Sequence, residues 1–359
     1  MPESDLNSST GIKQQGGHRD IRILVDGHGG DAAPAMVLDA LEIALTPAFA
    51  AQFQGSLMLG IVGQEDVIRP LLQARGIENS VSLIPATDVV GMCDSPSHAL
   101  RRKKDSSIHV GARLVRDGYW DALVSAGNTG ALMAISKVLL KTLPGIERPA
   151  IASMIPAVDN GRTLMLDAGA NSECTSDHLV QFAIMGSCYM QATEGLARPR
   201  VGLLNIGSED IKGTDVIKMT STKLAETDLN YIGNVEGTDL FGNDVDVVVC
   251  DGFVGNVALK TMEGTARFLA NSMRAELTSG VVAKAGALMA RSALKRFKDK
   301  VNPGKYNGAP LLGLNGIVVK SHGGADAESF VSALTVACRE VSENLTDRIT
   351  ESIQEMVES

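Results

Sequence analysis

Short β-branched and apolar runs recur along the chain at 21–25, 57–62, 81–84, 123–124, 151–155, 163–166, 201–206, 245–250 and 317–319, and the stretches between them carry apolar positions at helical spacing. Near-continuous apolar runs of this length predict strands covered on both faces. Their alternation with helices predicts βαβ units arranged as three α/β/α layers around a mainly parallel sheet. No fixed-period repeat or low-complexity linker interrupts the pattern, so 21–359 is expected to form one α/β/α domain. Residues 1–20, rich in Ser, Gln and Gly, show neither period and predict a disordered leader. From 257 to 300 the helical pattern is too long for an ordinary crossover and predicts a protruding helical lobe. At about 100° per residue, Lys284, Arg291, Lys295 and Lys298 share one face, and Val282, Met289, Ala293 and Phe297 the opposite one. Such a helix either packs its apolar face on the core and solvates its basic one, or it pairs with a second copy or lies on a membrane surface.

Many of the apolar runs end in glycine-rich turns. The most informative is Ser125-Ala-Gly-Asn-Thr-Gly130, which leads from an apolar run directly into a helix-period segment. Backbone N–H groups left free at a helix start, with the positive end of the helix dipole, favour a phosphate or a developing oxyanion. Comparable junctions stand at Asp26-Gly-His-Gly-Gly-Asp31, Asp167-Ala-Gly-Ala-Asn171, Asn205-Ile-Gly207, Asp251-Gly-Phe-Val-Gly-Asn256 and Ser321-His-Gly-Gly-Ala-Asp326. In an open α/β sheet such ends are expected to converge on one edge.

Composition narrows the possibilities. A net charge of −9 argues against general nucleic-acid binding, which needs a basic surface. The five cysteines are scattered without a CxxC spacing, which suits a reducing, cytoplasmic setting and disfavours disulfides or thiolate metal sites. No run approaches the roughly 20 apolar residues that span a bilayer. There is no GxxxxGK[ST], GxSxG or HExxH motif, and no cysteine has a convincing activating partner, so acyl chemistry here should proceed without an enzyme nucleophile, cofactor or metal. Gly27-His-Gly-Gly-Asp-Ala32 fits the dinucleotide pattern GxGxxA only weakly, and Asp31 would set a carboxylate beside the pyrophosphate.

Individual polar residues at the strand ends keep two readings each. Lys212 is either a surface lysine or a compact charge for a dianion. Asn256 is either a helix cap or a side-chain donor to an oxyanion. His28 and His322 either titrate near neutrality or satisfy backbone groups. The run Arg101-Arg-Lys-Lys104 is either a solvated face or a docking patch for an acidic partner.

The residues also resemble a known family. Val90-Gly-Met-Cys-Asp-Ser-Pro96, Ala99-Leu-Arg-Arg-Lys-Lys-Asp-Ser-Ser107, Ser125-Ala-Gly-Asn-Thr-Gly-Ala-Leu-Met133, Leu166-Asp-Ala-Gly-Ala-Asn171, Asn205-Ile-Gly-Ser-Glu-Asp-Ile-Lys-Gly213 and Val248-Val-Cys-Asp-Gly-Phe-Val-Gly-Asn256 follow, in order, the pattern of the PlsX acyl-acyl-carrier-protein:phosphate acyltransferases. The resemblance implies a fold related to phosphotransacetylases and to isocitrate- and isopropylmalate-type dehydrogenases, a homodimer, and transfer of a long-chain acyl group from acyl carrier protein to inorganic phosphate. It implies Lys212 and Asn256 as catalytic residues. Gly29, Gly30, Ser125, Gly127, Asn128, Thr129, Gly130 and His322 are then expected around phosphate. Arg101, Arg102, Lys103 and Lys104, or the stripe Lys284, Arg291, Lys295 and Lys298, would dock the carrier protein or the membrane surface, near a downstream glycerol-phosphate acyltransferase. Competing expectations are a short-chain phosphotransacetylase or NAD-dependent dehydrogenase of related fold, and a non-catalytic scaffold that binds the carrier protein or the membrane. The family commonly has Asp-Ala-Met-Gly-Gly-Asp where this chain has Asp26-Gly-His-Gly-Gly-Asp31.

Overall fold

The computed structural model describes residues 20–301 and 303–358. Its strands are β1 (Ile21–Asp26), β2 (Leu57–Gly63), β3 (Val81–Pro85), β4 (Ala122–Ser125), β5 (Ala150–Pro156), β6 (Arg162–Leu166), β7 (Arg200–Leu204), β8 (Asn230–Val235), β9 (Val247–Val249), β10 (Ala309–Leu312) and β11 (Ile317–Lys320). They form a single sheet in the order β3-β2-β1-β4-β11-β10-β5-β6-β9-β7-β8. The helices are α1 (Ala35–Ala44), α2 (Pro47–Ala50), α3 (Glu65–Arg75), α4 (Pro96–Arg102), α5 (Ser107–Arg116), α6 (Thr129–Leu140), α7 (Ser176–Glu194), α8 (Asp215–Ala225), α9 (Gly252–Leu277), α10 (Val281–Met289), α11 (Arg291–Val301), α12 (Ala327–Ser342) and α13 (Leu345–Glu358). The leader expected over 1–20 lies, except for Asp20, outside the described residues. No helix among the described residues is long and apolar enough to cross a membrane.

Side chains alternate between the two faces of each strand, and three apolar cores follow from that. Ile21, Ile23 and Val25 point toward α1 and α12, packing with Leu38, Leu41, Phe330 and Leu334. Leu24, Leu123, Val318 and Val248 point to the other face, under α5, α6 and the start of α9, where Ile108, Leu132 and Ile135 close over them. The third core sits between β6, β9 and β7 and helices α7 and α13. By the same alternation Asp26, Ser125 and Lys320 emerge on the α6 and α9 side, each two residues past an apolar residue of the second core.

The sheet corrects one expectation. β1, β2, β3, β4 and β11 are mutually parallel, as are β6, β9, β7 and β8, but β10 and β5 join the two sets through three successive antiparallel pairings. The two parallel sets therefore run in opposite directions. The carboxyl ends of β1, β4 and β11 lie on one edge, and those of β6, β9 and β7 on the other. Two strands, β8 and β10, have no counterpart among the apolar runs. β8 is a half-exposed edge strand, and β10 is four residues long and contains Pro310, which reads as a breaker.

The long helical stretch differs too. It starts at Gly252, ends at Leu277, and resumes as α10 and α11 after interruptions at Thr278–Gly280 and Ala290. The basic stripe is thus divided, with Lys284 on α10 and Arg291 and Lys295 on α11; the side chain of Lys298 lies outside the described residues. The apolar face does not pack on the core: Val281 and Met289 are 87% and 89% exposed, and Val282, Leu288 and Phe297 are exposed as well.

Candidate active site

The ends of β1, β4 and β11 form one cluster. The buried Ser125 Oγ donates to Asp26 Oδ2 at 2.7 Å and accepts from the Gly127 N–H at 3.0 Å. Asp26 Oδ1 accepts from the His28 N–H. The Ser321 N–H reaches the Ser125 carbonyl at 2.8 Å, and Asp31 N–H that of Gly323 at 2.9 Å, so the three strand-end loops are laced together. Glycine is required where they touch. A Cβ on Gly29 would stand 2.6 Å from Asp26 Oδ2 and 2.7 Å from the Gly127 nitrogen, and Gly30 holds φ +107°.

This geometry sorts the residues expected around phosphate. The Ser125 hydroxyl and the Gly127 N–H are already committed to each other and to Asp26. Asn128 is buried; its Oδ1 caps α6 at Ala131 N–H (3.0 Å), and its Nδ2 donates to the carbonyls of Gly91, Met92 and Asp94. It therefore pins the loop before α4 and has no free donor to offer. Gly29 and Gly30 shape the backbone. The His322 Nδ1 accepts from Gly324 N–H at 3.0 Å. The N–H groups of Thr129 and Gly130, at the exposed start of α6, have no hydrogen-bond partner among the described residues. His28 is drawn into the fold, its Nε2 accepting from Gln64 N–H at 2.9 Å while burial lowers its pKa.

The other edge carries Lys212 and Asn256. The loop after β6 is closed upon itself: the fully buried Asp167 carboxylate receives N–H groups of Ile151, Gly169, Ala170 and Asn171 and the Asn171 side chain, at 2.7–3.1 Å. Burial raises the Asp167 pKa against the pull of these donors. The first turn of α9 rests on this loop so closely that a Cβ on Gly255 would stand 1.9 Å from the Asp167 carbonyl oxygen. The helix is capped by Asp251, whose Oδ1 accepts from Val254 N–H at 2.8 Å. The capping reading of Asn256 is thereby removed. Asn256 sits one turn further on, exposed, against the achiral face of Gly169, where a Cβ would lie 3.4 Å from its own. Lys212 lies in the loop after β7, the immediate neighbour of β9. Asn205 braces that loop through the Lys212 carbonyl (3.3 Å) and the Ile206 N–H (2.8 Å), leaving the Lys212 side chain exposed and without an ion pair among the described residues. Ile206 and Ile211 beside it are 82% and 80% exposed, and Phe253 and Val257 of α9 add further apolar surface.

Lys212 and Asn256 thus leave adjoining strand ends, whereas the Ser125 to Gly130 turn belongs to the opposite edge. The first turns of α9 span the gap, for Ala258, Leu259 and Met262 pack on the second core and Lys260 comes near Lys320 at the end of β11. Of the docking candidates, Arg101, Arg102 and Lys104 are exposed at the end of α4. Lys103 instead folds inward, its Nζ donating to Asp94 Oδ2 and the Val89 carbonyl, both at 2.6 Å, which removes it from a free patch. One group went unread in the sequence: Lys320, hidden as the last residue of an apolar strand.

The sheet with helices on both faces and glycine-rich loops at its strand ends has the phosphotransacetylase fold. A phosphotransacetylase from Streptococcus pyogenes superposes with a TM-score of 0.58 over 89% of this chain and 94% of that one, at 17% identity. The family profile described as "Fatty acid synthesis protein" matches residues 21–348. The phosphate acyltransferase of Magnetococcus marinus is 49% identical over 93% of this chain and 95% of its own length, and that of Alkalilimnicola ehrlichii is 48% identical over 94% and 97%. The chain belongs to this phosphate acyltransferase family.

Proposed function

We propose that this chain transfers a long-chain acyl group from an acyl-carrier-protein thioester to inorganic phosphate, releasing acyl phosphate for phospholipid synthesis. The observation that carries the reading is the placement of Lys212 and Asn256, both exposed and with side chains uncommitted among the described residues, at the ends of two neighbouring strands. A phosphate oxygen attacks the thioester carbon, the C–O bond forms, and the tetrahedral oxyanion collapses with cleavage of the C–S bond, so that the carrier thiolate leaves and phosphate gives up its remaining proton to solvent. Lys212 holds the dianion and offsets its charge, and the Asn256 amide donates to the acyl oxygen as negative charge gathers there. A thiolate needs little acid catalysis. No protein nucleophile takes part, in keeping with Cys174 and Cys250, the thiols nearest the Asp167 loop, whose pKa values burial raises. The apolar surface of Ile206, Ile211, Phe253 and Val257 suits the acyl chain.

Hydroxylamine trapping of acyl phosphate formed from palmitoyl carrier protein and phosphate tests this. Lys212→Ala and Asn256→Ala are each expected to lower turnover more than about tenfold, equivalent to about 1.4 kcal/mol of barrier. A fully active double variant overturns the assignment; activity confined to acetyl donors, or nicotinamide reduction in place of trapped product, overturns the reaction.

The same reading places a homodimer contact and a membrane-touching tip on α9–α11, with a downstream glycerol-phosphate acyltransferase taking the poorly soluble product at the bilayer. Its support is the row of exposed Phe268, Leu269, Val281, Val282, Leu288 and Met289 beside Lys284, Arg291 and Lys295. Met289→Asp with Phe297→Asp is expected to abolish co-sedimentation with anionic vesicles and to leave turnover of soluble substrate intact. Exposed Arg101, Arg102 and Lys104 supply the cationic patch for the acidic carrier protein.

A further inference from the structure

Lys320 ends β11 only 9% exposed. Its ammonium donates to the adjacent Ser321 carbonyl and forms no ion pair among the described residues. In the sheet register it stands opposite Ser125, and both side chains rise on the face where Asp26 lies. The charged groups that face it are Asp26 from β1, Asp31 from the loop that follows, and Lys260 from α9. Asp26 already receives Ser125 Oγ and His28 N–H. His322, two residues on, has its Nδ1 turned to Gly324. Burying an ammonium without a counter-ion is costly, and such groups concentrate where a ligand completes the site. The partner such a charge calls for is an anion, and the open start of α6, with the Thr129 and Gly130 amides, begins four residues past Ser125.

We propose that Lys320 is a phosphate-binding residue, its ammonium taking an oxygen of a phosphate group seated at the ends of β4 and β11 beside the Thr129 and Gly130 amides. This role rests on the transferase reading; Lys212 holds the ion as it attacks, so the phosphate at Lys320 is either the inorganic ion bound before it passes to Lys212 or a phosphate carried by the acyl donor. The group contacts substrate without joining the bond changes. Desolvation lowers the amine's pKa to about 8, opposed by Asp26 and Asp31 and aided by Lys260, so binding of an anion draws a proton onto it.

The test is titration calorimetry of the full chain with inorganic phosphate at pH 8, in two buffers of different ionisation enthalpy, combined with steady-state kinetics. Wild type is expected to take up a fraction of a proton on binding. Lys320→Met is expected to bind phosphate at least tenfold more weakly without that uptake, and Lys320→Arg to bind with no uptake. A raised KM for phosphate identifies the inorganic ion. A raised KM for the acyl donor alone, with unaltered calorimetry, identifies the donor's phosphate. If Lys320→Met leaves calorimetry and both KM values unchanged while its circular dichroism is native, the proposal is overturned and the transferase reading stands. If wild type forms no acyl phosphate yet binds the ion through Lys320, the transferase reading falls alone.

Discussion

The loop after β6 and the turn after β4 look alike in sequence, small and glycine-rich residues following an apolar strand, yet they use their amides in opposite ways. The first wraps around its own carboxylate, so the N–H groups of Gly169, Ala170 and Asn171 all end on Asp167. The second satisfies the Gly127 N–H through Ser125 but leaves Thr129 and Gly130 open, and the ammonium at the neighbouring strand end meets a carbonyl but no counter-ion among the described residues. A glycine-rich junction is therefore an anion site only when no internal acceptor fills it. In this chain a carboxylate in place of a ligand makes one loop a structural knot, on which the helix carrying Asn256 is seated.

The contrast can be broken most severely at the knot. Gly255→Ala puts a methyl group against the Asp167 carbonyl, where backbone cannot yield, and is expected to cost about 3 kcal/mol or more; urea unfolding measures it, and native stability would show that α9 is not fixed by this contact. At the open cluster the sign reverses. The folded-state pKa of Lys320 lies near 8 against 10.5 for a free lysine, so below pH 8 both states are protonated and the buried charge lowers stability. Between the two values the unfolded chain binds the extra proton, and stability climbs with pH. Lys320→Met in phosphate-free buffer is accordingly expected to stabilise by about 3 kcal/mol at pH 7, a gain that disappears above pH 10.5. Thermal melts across this range check it, and a loss of stability at pH 7 would show that the ammonium is internally paired. The smallest effect is expected from Ser125→Ala, which deprives Asp26 Oδ2 and the Gly127 N–H of a shared partner and costs about 1–2 kcal/mol. A neutral result would mean that water replaces the hydroxyl and that the cluster is wetter than the loop after β6.

Features whose pattern carries its own physical meaning are legible in the sequence. Strands such as 21–25 and 163–166 are visible because burial on both faces demands continuous apolar side chains. What neighbours decide is not legible there. Asn256 read equally well as a cap, since nothing local reveals that Asp251 takes that position. Asn128 read as a phosphate ligand, although its amide is engaged by three carbonyls from a segment more than 30 residues away in sequence. The charge of Lys103 read as surface, yet Asp94 and Val89 draw it in.

The chain's order of residues alone settles the layered α/β architecture, the glycine-rich ends of its strands and the family to which it belongs, because periodicity and motif order are properties of a line. Strand direction, the users of each free amide and the burial of Lys320 are set only when the antiparallel pair β5 and β10 turns half of the sheet around. Hydrogen-bond donors and charges acquire a role from what stands opposite them in space, and residues far apart in the chain supply it.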